Sequence, residues 1–166
     1  MAENKDTHII SMLVANKPGV LVRVALVFAR RAFNIDSLVV SASTNPKFSR
    51  MTITSKGDLA TLDQIIKNLS KLVDVIHASE HDPSHSIDRE LALIKVKSTP
   101  AVKTAVAKHS KKYHAKIVDT TDKTTIIAQS GTTEELDEFE ALMKKYGVTE
   151  MVRSGKLLMA QGKEVT

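Results

Sequence analysis

The sequence contains no cysteine and no tryptophan. Disulfides, cysteine-bound zinc and thiolate catalysis are therefore excluded. Aromatic residues make up only 4% of the 166 positions, so a core must be built from Val, Ile, Leu, Ala and Met. No run approaches the ~20 consecutive apolar residues of a membrane span. The opening residues MAENKDTH lack the apolar centre of a secretion signal. A cytoplasmic location without a membrane partner is the expectation. The motifs G-x-S-x-G, H-E-x-x-H, the P-loop and G-x-G-x-x-G are all missing. Nothing in the chain marks an active site, and none is expected.

What is present is a globular composition, 42% hydrophobic and 26% charged. Lys and Arg number 24 against 19 acidic residues, a net charge of +5 and a pI near 9.4. The excess sits in the second half, at Lys103, Lys108, Lys111, Lys112, Lys116, Lys144 and Lys145, with Tyr113 the only Phe, Tyr or Trp among the first five of them. An RNA-reading sheet needs aromatic platforms that this sequence lacks. A solvated face or an acidic protein partner fits better, and nucleic acid is not expected.

Hydrophobic spacing divides the chain into two similar units. His8–Ala15 reads as a strand that ends in the turn Asn16-Lys17-Pro18-Gly19. Leu21, Val24, Ala25, Phe28 and Ala32 then mark one face of a helix. Asn34 suits the left-handed residue that ends it. Ile35–Ser43 and Phe48–Ser55 are strands, Leu59 to Leu72 carries a second amphipathic helix under Asp58 as N-cap, and Val73–Ser79 is a fourth strand. Glu80–Ser86 is polar and carries Pro83, so it reads as a linker. Leu91–Val96, Thr99–Lys112, Ala115–Thr120, Thr124–Gln129, Thr133–Tyr146 and Val148–Val152 repeat the order, the second helix of this set without a capping box at Thr133. The fold class is α+β, two tandem ferredoxin-like βαββαβ sandwiches. The expected boundaries are a polar tail at 1–7, a first domain at 8–80, a linker at 81–88, a second domain at 89–155 and a tail at 156–166. Sheets this small leave edge strands open to another copy, so a dimer is expected.

The histidines give little. His81 and His85 lie four apart beside Asp82, but Pro83 between them prevents a helix from aligning the rings, and a polar loop is the better reading than a metal site. His8 and His77 fall in strands as edge or packing residues. The turn Asn16–Leu21 is the strongest local signal. Gly19 permits close approach to a ligand, and the free N–H groups near Val20–Val22 suit a carboxylate, with the helix dipole adding roughly 0.3–1 kcal/mol. Asn16 can both donate and accept. A plain strand-to-helix turn explains the same residues equally well.

Leu13–Val24 (LVANKPGVLVRV), Phe33–Leu38 (FNIDSL) and Ser49–Ile53 (SRMTI) closely resemble the small regulatory subunits of acetohydroxyacid (acetolactate) synthase. Lys71–Val75, Arg89–Leu91 and Glu150-x-x-Arg153-Ser154-Gly155 extend the resemblance from about His8 to Gly162. It implies that the first unit is an ACT domain that dimerises side by side and binds an amino-acid effector at the interface. It implies an effector-binding set of Asn16, Lys17, Pro18, Gly19, Val20 and Leu21, with Asn34 given by the neighbouring domain and Ile35 lining the side-chain pocket. The effector so implied is valine, or leucine or isoleucine. The implied partner is the catalytic large subunit, which alone would carry thiamine diphosphate, Mg and FAD; this chain would hold no cofactor. Ala15 departs from the family pattern, where many relatives have Glu. The alternative is a free-standing ACT-type amino-acid sensor acting on another protein.

Overall fold

The computed structural model describes residues 7–164 and Thr166. The polar N-terminal tail expected at 1–7 lies outside these residues, apart from Thr7. Among the described residues two compact units result, one of residues 7–88 with 156–164 and Thr166, the other Arg89–Gly155.

The first unit runs β1 (Thr7–Ala15), α1 (Val20–Ala29), β2 (Ser37–Ala42), β3 (Phe48–Lys56), α2 (Leu59–Leu69) and β4 (Val75–Glu80). Its sheet has the order β2-β3-β1-β4, antiparallel throughout. One face carries Ile10, Met12, Met51 and Ile53, and the apolar stripes of both helices close over it with Val24, Phe28, Leu62 and Ile65. The other face is polar yet buried at Ser11, Thr52 and Thr54, and Arg50 beside them donates to the Thr166 carbonyl.

The second unit takes β5 (Ser86–Lys97) from Arg89 onward, with α3 (Pro100–Tyr113), β6 (Ala115–Thr120), β7 (Thr124–Gly131), α4 (Thr133–Lys144) and β8 (Val148–Arg153). Its sheet order is β6-β7-β5-β8. Ile94, Val96 and Ile127 meet Val106, Leu136 and Phe139 in its core. Here the open face is apolar and exposed, with Leu93 opposite Val152 and Leu91 nearby. Both units are therefore α+β sandwiches with helices on one face of a four-strand path.

Several expectations needed correction. The linker at 81–88 is not unstructured. Asp82 accepts from the Ser84 N–H at 2.8 Å, Pro83–His85 form a 3₁₀ turn, and β5 already begins at Ser86. The tail at 156–166 contains β9 (Leu157–Ala160), which pairs with β5. Four residues are too few to show a period, and their partner lies about 70 positions away in sequence. The left-handed residue after α1 is Ala32, with φ 54°, not Asn34. Phe33 N–H donates to Phe28 O and Ala32 N–H to Ala29 O, a Schellman closure in which register, not residue preference, chose the site. A capping box does start α4. It centres one residue earlier than expected, on Thr132 with Glu135.

Candidate functional site

The turn between β1 and α1 is pinned from both sides. Ala15 N–H donates to Asp74 O and Asn16 N–H to Lys47 O, both at 2.8 Å. Asn16 Nδ2 donates to Pro46 O at 3.0 Å, so this side chain holds the β2–β3 connection. Lys17 N–H turns back to Ala15 O at 3.0 Å, and Lys17 and Pro18 are exposed.

Gly19 sits at the N-cap of α1 with φ 82°, a left-handed conformation that a side chain would strain. A Cβ there would also lie 3.2 Å from Arg23 Nη1. Gly19 brings no capping side chain, and the first turn of α1 has no acidic residue. The contrast with the other helices is sharp. Asp58 caps α2, Thr99 caps α3 and Thr132 caps α4. Among the described residues no side chain closes the N–H groups of Leu21 and Val22, so the helix start remains a donor end for an anion. Arg23 is engaged with Asp74 at 2.5 Å, which ties α1 to the loop before β4.

Val20 is buried in the core while Leu21 is exposed, so the first turn of α1 sends one aliphatic side chain inward and the next outward. Asn34 and Ile35 lie elsewhere. Ile35 packs against the first core. Asn34 accepts from the Ser55 hydroxyl through its carbonyl, and its Nδ2 donates to Asp36 Oδ1 at 3.0 Å. The register places Ala15 opposite Phe48 and His8 opposite Ser55. Asn34 is thus about seven residues further along the sheet than Asn16, roughly 23 Å at 3.3 Å per residue. Within one chain the structure gathers Asn16 to Leu21 and leaves Asn34 and Ile35 at the opposite end of the sheet.

Sequence reading missed the residues that hold the turn. Pro46, Lys47 and Asp74 act through backbone oxygens, which carry no residue-type signature. His8 is a packing residue of β1, as its place in a strand suggests: it is buried, with Nδ1 2.8 Å from Glu80 Oε1 and Nε2 2.9 Å from Gly57 O. His81 bonds the Ser11 hydroxyl at 2.6 Å, and burial lowers its pKa. His85 instead lies 3.6 Å from Asp82. Among the described residues no three His, Cys, Asp or Glu side chains gather as for a metal ion. No helix among them is long and apolar enough to cross a membrane. In the lysine-rich half, Lys112 is paired with Glu138 at 3.2 Å and with the Tyr113 hydroxyl at 2.8 Å.

Comparison with known proteins agrees with this architecture unit by unit. Residues 10–77 match the model of the AHAS small subunit-like ACT domain. Residues 89–162 match the model described as small subunit of acetolactate synthase. The chain is 38% identical to the acetolactate synthase small subunit of Mycolicibacterium smegmatis, over 98% of this chain and 95% of that protein. It is also 38% identical to the Haemophilus influenzae acetolactate synthase small subunit, over 95% of this chain and 97% of the other. The crystal structure of the acetolactate synthase small subunit from Thermotoga maritima superposes with a TM-score of 0.85 at 38% identity, covering 95% of this chain and 99% of that one. Two adjoining family matches, relatives aligned over at least 95% of both chains and a shared fold lead to one conclusion: this chain belongs to the acetolactate synthase small-subunit family.

Proposed function

We propose that the chain is a non-catalytic regulatory subunit. It binds the catalytic large subunit of acetolactate synthase, raises its activity, and imposes feedback inhibition by valine or another branched-chain amino acid. Thiamine diphosphate, Mg and FAD belong to the large subunit in this reading.

One observation carries it. The donor turn Asn16–Leu21 and Asn34 sit at opposite ends of a sheet whose β2 edge has no partner strand among the described residues. Ala42 at the end of β2 is level with Ser49, and Ser49 is level with Val14 beside the turn. Two copies joined antiparallel along β2 would therefore bring Asn34 of one to the level of Asn16 of the other. The outward side of α1 supports the same contact, since Leu21, Val22 and Leu26 are 42%, 61% and 45% exposed on a helix with few polar residues.

An amino acid bound there would place its carboxylate on the α1 donors. Burying a valine side chain contributes on the order of 1.5–3 kcal/mol. A methylene changes discrimination by only about 1–3 kcal/mol, so the pocket ranks leucine and isoleucine close to valine. Effector binding across two copies favours one dimer arrangement, the catalytic subunit reads that arrangement, and linkage makes the catalytic subunit shift effector affinity in return.

Adding the chain to its catalytic partner tests the proposal by rate. Activation, then inhibition on adding valine, is the expected result. An unchanged rate with and without valine would reject it and favour a sensor acting on another protein.

A further inference from the structure

A branched-chain amino acid carries an ammonium as well as a carboxylate, and the turn before α1 answers only the carboxylate. Ala15–Gly19 contains no acidic residue, and neither does the first turn of α1. The Asp74 carboxylate that bonds to this region is already engaged by Arg23.

At the far end of the same sheet, Asn34 Nδ2 donates to Asp36 Oδ1 at 3.0 Å. An ionised carboxylate only accepts, so the amide must turn its nitrogen to Asp36 and leave Oδ1 of Asn34 as a free-facing acceptor. The backbone is held on both sides of this pair. The Ser55 hydroxyl donates to Asn34 O, and Asp36 N–H donates to Thr54 O at 2.9 Å. Asn34 and Asp36 are both exposed. The result is a preset outward acceptor backed by a negative charge, the complement of an ammonium.

We infer that Asp36 is a positioning residue for the effector's ammonium group. In the two-fold pair it aims Asn34 Oδ1 of one copy at the ammonium of an amino acid whose carboxylate rests on α1 of the other. The inference rests on the regulatory reading above and on β2 edges that meet. It makes the site selective for α-amino acids over carboxylic acids of the same shape.

Calorimetry on the full chain tests it, with valine and isovalerate (valine without its amine) as probes. Wild type binds valine at least tenfold tighter than isovalerate. Asp36→Ala lowers valine affinity roughly tenfold or more and leaves isovalerate unchanged. Asp36→Asn, which keeps an acceptor for Asn34 and loses the charge, falls between. Sedimentation of Asp36→Ala at the wild-type position confirms that assembly is intact. Unchanged valine affinity in Asp36→Ala, or an equal loss for both probes, would overturn the inference. Valine binding that also survives Gly19→Asp would overturn the site itself and the inference with it.

Discussion

The two units share a strand order and differ in how their helices begin. In the second, Thr99 and Thr132 close α3 and α4, and Glu135 answers Thr132 in a reciprocal box. Gly131 leaves the room this box needs, since a Cβ there would collide with the Glu135 carboxylate. In the first, α2 is capped by Asp58, but α1 starts bare behind Gly19. A start without a capping side chain gives up local stability, about a few tenths of a kcal/mol when the N-cap is Gly. The first unit keeps donors available where the second spends them on itself. The same topology thus supports a scaffold in one half and a candidate binding end in the other.

Core substitutions should show the largest effects and test whether the cores are equivalent. Phe28 and Phe139 are each fully buried, and Phe139 also meets the Tyr113 ring at 5.4 Å between centroids. Alanine at either position should cost about 3–5 kcal/mol in denaturant unfolding. Markedly unequal losses would mean that one sandwich relaxes around the cavity.

Next in size is a charged cluster in the second unit. Buried Glu90 accepts from Arg153 Nε at 3.2 Å and from the Thr133 hydroxyl, and Arg153 also reaches Asp137 at 2.5 Å. Arg153→Ala leaves Glu90 buried without its cation and should cost about 3 kcal/mol by the same unfolding measurement. Removing the caps is expected to cost less. Thr132→Ala should lower stability by about 1 kcal/mol. Bonds from the Thr61 side chain and N–H hold the Asp58 carboxyl below its ordinary 3.8. Its contribution is therefore present above that value and is lost as pH falls through the lower folded one. A hydroxyl cap does not titrate, so amide exchange in α2 should accelerate in acid more than in α3. The smallest effect has the opposite sign. Ala32→Gly removes the strain of φ 54° and should stabilise by roughly 0.5–1 kcal/mol.

The repeated βαββαβ order was readable because alternation in strands and 3.6-residue stripes in helices are local signals. Asp58 as a cap was readable for the same reason. Glu90 broke the pattern that would have extended β5 backward, because its burial depends on Arg153, 63 residues away. The Thr132 box was hidden by a one-residue shift, and β9 by its brevity. At the candidate site, Gly19 and Asn16 stood out through their residue types. The backbone oxygens of Pro46, Lys47 and Asp74 did not, since any residue provides one. The separation of Asn16 from Asn34 follows only from strand register, which the sequence does not display.

The central claim is that two copies complete one site, and a mixed-dimer titration tests it most directly. Gly19→Asp and Asn34→Ala chains should each fail to bind valine alone. Refolded together in equal amounts, half of the dimers are mixed and each of those carries one whole site, so calorimetry should recover about one quarter of the wild-type valine sites. No recovery in the mixture, with both variants folded and dimeric, would contradict a site shared between copies.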